Sequence, residues 1–254
     1  MTWLERLRHS AFLGGQVLVH LMGGKIHRRN TLEQLSAVGV ESLFIVLLTA
    51  VVISGVFTIQ VAREFIRFGA SSLIGGVLSL ALARELIPVL TAVILAGRMG
   101  SAFAAELGTM KVSEQIDALY LLRTDPVDYL VLPRVIACGL MLPMLALISL
   151  VIGLFGGMVI CNSMYGIATS QFLTSAQDFL EGWDLWSCVI KSFVFGILVA
   201  IIGSSWGVTT SGGAKGVGRS TTDAVVTSLL AIFISNFFLS WFLFQGPGAA
   251  LAQN

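Results

Sequence analysis

Apolar positions in this chain fall into long unbroken runs, not the three-to-four-residue spacing of a surface helix or the alternation of a strand. About 20 apolar residues suffice to cross the hydrocarbon core of a bilayer. By that measure five runs qualify, at about 37–60, 71–97, 130–160, 186–208 and 224–245. The third is long enough to tilt or to contain a break, and Pro143 offers one. The run from Ala11 to Met22 is too short to span. It follows Trp3, Leu4 and Leu7 interleaved with Glu5, Arg6 and Arg8, a pattern that predicts an amphipathic helix lying in the membrane interface. A cleaved signal peptide is the rival reading; no small-residue cleavage site follows, and Lys25, Arg28 and Arg29 come next. The pattern therefore predicts an all-α integral membrane protein with an N-terminal interfacial segment over 1–34 and five transmembrane helices beyond it.

Composition agrees, with 56% hydrophobic and only 11% charged residues, against about 25% charged in soluble domains. A net charge of +1 provides no global basic field and argues against a nucleic-acid partner. The distribution of that charge is more informative. Five Lys/Arg precede the first span (Arg6, Arg8, Lys25, Arg28, Arg29), four lie between spans two and three (Arg98, Lys111, Arg123, Arg134), and two between spans four and five (Lys215, Arg219). The opposite side has only Arg63 and Arg67, so the positive-inside rule predicts a cytoplasmic N-terminus and an external C-terminus. Cys138, Cys161 and Cys188 lie in or beside apolar runs without metal-ligand spacing and are read as small packing residues. Gly153 with Gly157, and Gly203 with Gly207, have the spacing that lets helices approach closely. No internal repeat is evident, which weakens a secondary-transporter reading.

Two charges remain inside spans two and four, Arg84 and Lys191, with Glu85 beside the first. An ionisable group at bilayer depth costs roughly 2.5–3.5 kcal/mol, so each needs a partner, a water-filled cavity or a polar ligand. The expected depths of Glu85 and Lys191 differ by about 9 Å at 1.5 Å of rise per residue. A direct pair therefore requires a shifted or broken second span, which Pro88 and Gly75-Gly76 would permit. Two readings stay open: a buried structural ion pair, or a cavity in which Arg84 and Lys191 receive an anionic headgroup with Glu85 balancing them. In KVSEQIDALYLLRTDP, Ile116, Leu119 and Tyr120 recur at helical spacing, Ser113 is a candidate N-cap and Asp125-Pro126 a stop, predicting a short amphipathic helix between spans. SGGAKGVGRST at 211–221 lacks the Ser/Thr that must follow the lysine of a phosphate loop, and no strand precedes it. No nucleophile arrangement or metal-ligand cluster appears, the three histidines (His9, His20, His27) all falling in the N-terminal segment. The chain is read as having no enzymatic site and no cofactor of its own.

LARELIPVLTAVILAGRMGSAFAAELGTMKVSEQIDAL resembles the signature of the MlaE/YrbE permease family, the membrane subunits of MCE-associated ABC lipid transporters. The likeness continues through DPVDYLVLPRVIACGLMLPML, CVIKSFVFG and TTDAVVTSLLAIF. It implies a single permease domain over 35–254, two copies forming a homodimer, cytoplasmic ATPase subunits that bind the ATP-Mg and dock on the loop between spans two and three, and an MCE-domain ring on the outer side. It also implies a lipid pocket whose charges match Arg84, Glu85 and Lys191. The docking helix matches 112–122, making Glu114, Gln115 and Asp117 candidate ATPase contacts. The expected activity is ATP-driven movement of phospholipid or another polar lipid between the membrane and an MCE protein. A proton-coupled lipid transporter and a non-transporting scaffold for an MCE protein are the alternatives. The bacterial inner membrane is the expected location, with the chloroplast inner envelope as the other setting.

Overall fold

The computed structural model describes residues 3–23 and 27–245. Lys25, counted above for orientation, and the residues after Gln245 lie outside them. Every regular element among the described residues is helical. An N-terminal helix α1 (Trp3–Met22) precedes α2 (Arg28–Arg67), α3 (Ser71–Val112), the short α4 (Gln115–Leu121), α5 (Val127–Tyr165), α6 (Thr169–Phe179), α7 (Gly182–Val208) and α8 (Gly213–Phe244). Of these, α2, α3, α5, α7 and α8 are long and apolar enough to cross a membrane, matching the five runs read from the sequence.

Each of the five extends beyond its apolar run, because a 20-residue window measures hydrocarbon thickness whereas a helix ends where its caps or turn residues end it. Thus α3 runs to Val112 and α8 begins at Gly213, behind Gly212 and Gly213 in the left-handed region. The glycine-rich segment around Lys215 is therefore the opening of a transmembrane helix. Just after that end of α3, Ser113 is not the N-cap of α4 expected of it. Its hydroxyl donates back to the Thr109 carbonyl at 2.8 Å, and Glu114, at φ +60°, occupies the position before α4. In α4 itself Ile116 is buried and Leu119 packs beside it on Leu107 and Leu130, but Tyr120 is exposed, so the expected three-residue apolar face is really two residues wide. The helix α6 was not foreseen; its sequence is too polar for a span, although Phe172, Ala176 and Phe179 carry a helical period.

The chain forms two compact units. The first comprises Met1–Ser42, Ala92–Leu142 and Phe193–Ser235. In it α1 buries Leu13 and Val17 and is tied by Trp3 Nε1 donating to Thr227 Oγ1 (3.2 Å) and Arg6 Nη1 donating to Ser220 Oγ (3.1 Å). Here Gly203 lies against the Gly100 carbonyl and Gly207 against Leu107, so α7 and α3 meet backbone to backbone along the small-residue stripe. Gly196 sits as closely on the Cys138 carbonyl. The second unit comprises Leu43–Thr91, Pro143–Ser192 and Asn236–Asn254. Its core holds Leu78, Leu82, Ile87, Leu150, Cys161 and Cys188. Gly75 and Gly76 let α6 lie on α3, the first against the Phe172 carbonyl and the second against the Phe179 ring, with the Gly76 N–H donating to Ser175 Oγ at 3.0 Å. All three cysteines are buried and free, as packing residues should be.

A Cβ at residue 196 would overlap a backbone carbonyl that cannot move aside. Gly196→Ala is expected to lower the melting temperature of the detergent-solubilised protein by several degrees, at roughly 2–4 °C per kcal/mol for a chain this size. Gly218→Ala, on open helix surface, should leave it unchanged or raise it slightly. Equal melting of the two variants would refute the close approach.

Candidate functional site: a charge cluster inside the membrane spans

The site begins with a proline. Pro88 has no N–H, so the Arg84 carbonyl, four residues back, loses the donor that an α-helix supplies. The helix answers with a π-helical turn over Leu82–Leu86, a wider winding that turns Arg84 and Glu85 out of the regular ladder. The stranded carbonyl is then capped from another helix, with Lys191 Nζ of α7 donating to Arg84 O at 2.6 Å.

Lys191 has three protons and spends all of them. Besides Arg84 O, its Nζ donates to Glu85 Oε1 (2.8 Å) and to Ser240 Oγ (2.7 Å). Ser240 in turn donates to Glu85 Oε1 (2.8 Å), and Asn236 Nδ2 donates to Oε2 (2.8 Å). Arg84 is held separately, its Nε donating to Asp184 Oδ1 at 2.6 Å while Oδ2 of that aspartate accepts the Glu181 N–H at 3.0 Å. The Phe244 ring lies 4.6 Å from the guanidinium carbon and 5.7 Å from Lys191 Nζ. Two cations and two anions therefore sum to zero. Neutrality is what allows four ionised groups within transmembrane helices, where each alone would cost a few kcal/mol.

The direct Glu85–Lys191 pair settles the depth question raised by the sequence. Span four begins at Gly182, four residues before the expected start, and the π-turn re-aims Glu85. Exposure separates the three expected residues. The Lys191 side chain is 0% exposed, whereas Arg84 is 36% and Glu85 45% exposed. Both exposed groups face a cavity of about 670 Å³ whose other walls include Val77, Leu80, Phe237, Trp241 and Phe244. Among the described residues only Arg84 Nε is engaged, which leaves both terminal nitrogens available to an anion. Asp184, Asn236, Ser240 and Phe244 were not singled out from the sequence. A signal existed, since Asp184 precedes Lys191 by two helical turns and Asn236, Ser240 and Phe244 follow one another at i, i+4 and i+8 on α8.

The other expected contact residues lie apart from this cluster. Glu114 and Gln115 are exposed at the start of α4, and Asp117, also exposed, accepts from Lys111 Nζ at 2.9 Å. The end of that helix carries Leu121 and Leu122, 87% and 73% exposed, next to exposed Tyr120.

With this geometry in hand, the likeness to known proteins is specific. The family model "Permease MlaE" matches residues 31–242. A probable ABC transporter permease protein of Synechocystis is 65% identical over 97% of this chain and 94% of its own length. The chloroplastic protein Trigalactosyldiacylglycerol 1 of Arabidopsis thaliana is 54% identical over 94% of this chain and 68% of its own. A probable ABC transporter permease protein of Pyropia yezoensis is 49% identical over 99% of this chain and 95% of its own. A family match across most of the chain, together with five membrane-spanning helices, makes this a multi-pass transporter subunit and not an enzyme: the chain belongs to the MlaE permease family.

Proposed function

We propose that this chain is the permease subunit of an ATP-driven transporter of phospholipid or a related polar lipid, with Arg84 as the headgroup receptor. The observation that carries this is the cavity itself, lined by a guanidinium whose two terminal nitrogens have no hydrogen-bond partner among the described residues, and by aromatic and aliphatic side chains. Such a space suits an amphiphile, the charge taking an anionic oxygen through paired N–H donors and the walls taking an acyl chain. Glu85, half exposed, adds an acceptor for a headgroup hydroxyl or amine. Lys191 has no surface to offer a ligand, so its part is to position Glu85 and the Arg84 backbone. Family membership supports a homodimer, separate subunits that bind ATP-Mg, and an MCE-domain partner. The charge asymmetry supports a cytoplasmic N-terminus with α1 at the interface. The cyanobacterial relative supports a bacterial inner membrane, and the Arabidopsis one a chloroplast envelope as the other setting.

Coupling to the ATPase is assigned to α4. Glu114, Gln115 and Asp117 form its polar edge, and Tyr120, Leu121 and Leu122 are an apolar tip suited to a socket on the partner.

Mass spectrometry of lipids that copurify with the dimer tests the site. Arg84→Ala is expected to lose most of one bound lipid class with assembly intact, and Glu85→Ala to lose part of it; unchanged lipid content in both would overturn the assignment. Lys191→Met should lower the melting temperature by removing the donor to the Arg84 carbonyl and one partner of Glu85, and adding Glu85→Gln should recover part of that loss. Equal melting of the single and double variants would show that the pair is not coupled. For α4, Leu121→Glu is expected to weaken ATPase copurification at least about tenfold, a change of about 1.4 kcal/mol, without changing the permease melting temperature; full recovery of the complex would remove α4 as the docking element.

A further inference from the structure

We propose that His20, Asp125 and Asp128 form a binding site for one divalent transition-metal cation, of which zinc is the type, fastening the end of α1 to the start of α5. The three residues belong to the first compact unit, whereas the charge cluster belongs to the second, and they stand outside the transport reading above.

His20 is in the last turn of α1 and Asp128 in the opening π-helical turn of α5, on which α1 packs. One potential ligand atom from each of His20, Asp125 and Asp128 lies within 4.8 Å of the other two. His20 Nδ1 is 2.6 Å from Asp128 Oδ1, and Nε2 is 3.7 Å from Asp125 Oδ2. Asp125 is already oriented, because its Oδ1 accepts the Val127 N–H at 2.8 Å and Oδ2 is left for the cluster. Among the described residues, Asp128 Oδ1 is buried and makes no hydrogen bond of proper geometry, despite the nearby ring nitrogen. A buried carboxylate oxygen without a hydrogen bond is costly unless a cation satisfies it. Among the described residues no lysine or arginine pairs with either aspartate.

The chemistry of the set points to a transition metal. One imidazole nitrogen with two carboxylate oxygens suits zinc or manganese, whereas magnesium and calcium favour oxygen alone. A divalent charge cancels the two carboxylates, and the carbonyl end of α1 adds negative potential. A cavity of about 330 Å³ lined by Val19, His20, Gly23, Asp125 and Asp128 opens beside the cluster, with room for water ligands.

The test is calorimetric titration of Zn²⁺ into the chelator-treated, full-length protein in detergent, together with its melting temperature with and without Zn²⁺. One site per chain is expected, weakened at least about tenfold in His20→Gln and in Asp128→Asn, with the Zn²⁺-dependent rise in melting temperature lost in both. X-ray absorption of the zinc-loaded wild type should show nitrogen and oxygen ligands including imidazole, a result independent of whether the variants fold. No saturable site, equal affinity in His20→Gln, or sulfur ligation from a cysteine would overturn the proposal and leave the cluster as an ion pair of histidine with two aspartates.

Discussion

A backbone carbonyl deprived of its donor by Pro88 organises the second unit of this protein. In water such a group would be solvated; at bilayer depth it must be capped by protein. Lys191 caps it, and once that ammonium is present a carboxylate must accompany it, which is Glu85. Arg84 then needs Asp184 for the same reason. Each group answers the one before it, because leaving that one unpaired in a low-dielectric environment is costly, and the formal charges of the four ionised groups cancel.

That balance divides labour among groups which look equivalent in the sequence. Lys191 saturates its donors and is fully buried, whereas Arg84 lines the cavity and, among the described residues, engages only its Nε. The guanidinium geometry makes this division possible, since a planar fork can hold a protein partner at Nε while keeping its far edge free. An ammonium in the same place would have to break a structural contact to take a ligand. The π-helical turn carries both Arg84 and Glu85, and although each has its own partners, both line the same cavity.

The glycines carry a second constraint, the close approach of helices where side chains would keep them apart. Gly203 and Gly207 serve α3 and α7 in the first unit, while Gly153 and Gly157 serve the contacts of α5 with Ser54, Thr58 and Leu78 in the second. Apolar side chains provide little attraction between helices in lipid, so packing of this kind and interhelical hydrogen bonds have to hold each unit together.

The number of spans, the all-helical class and the need of Arg84, Glu85 and Lys191 for partners were legible in the sequence, because membrane thickness and the cost of buried charge act on composition alone. The helix ends were not, since they depend on turns such as Gly212-Gly213 that lie outside the apolar runs. Nor was α6, which is too polar to register as a span and owes its place to two glycines of another helix. Asp184, Asn236, Ser240 and Phe244 joined the cluster only in three dimensions, as did His20 with two aspartates more than a hundred residues away. The sequence determined which residues could not remain alone in a membrane. Pro88 marked where span two would break, but tertiary structure decided which partner each charge received, because partner choice depends on helix register, which local composition does not show.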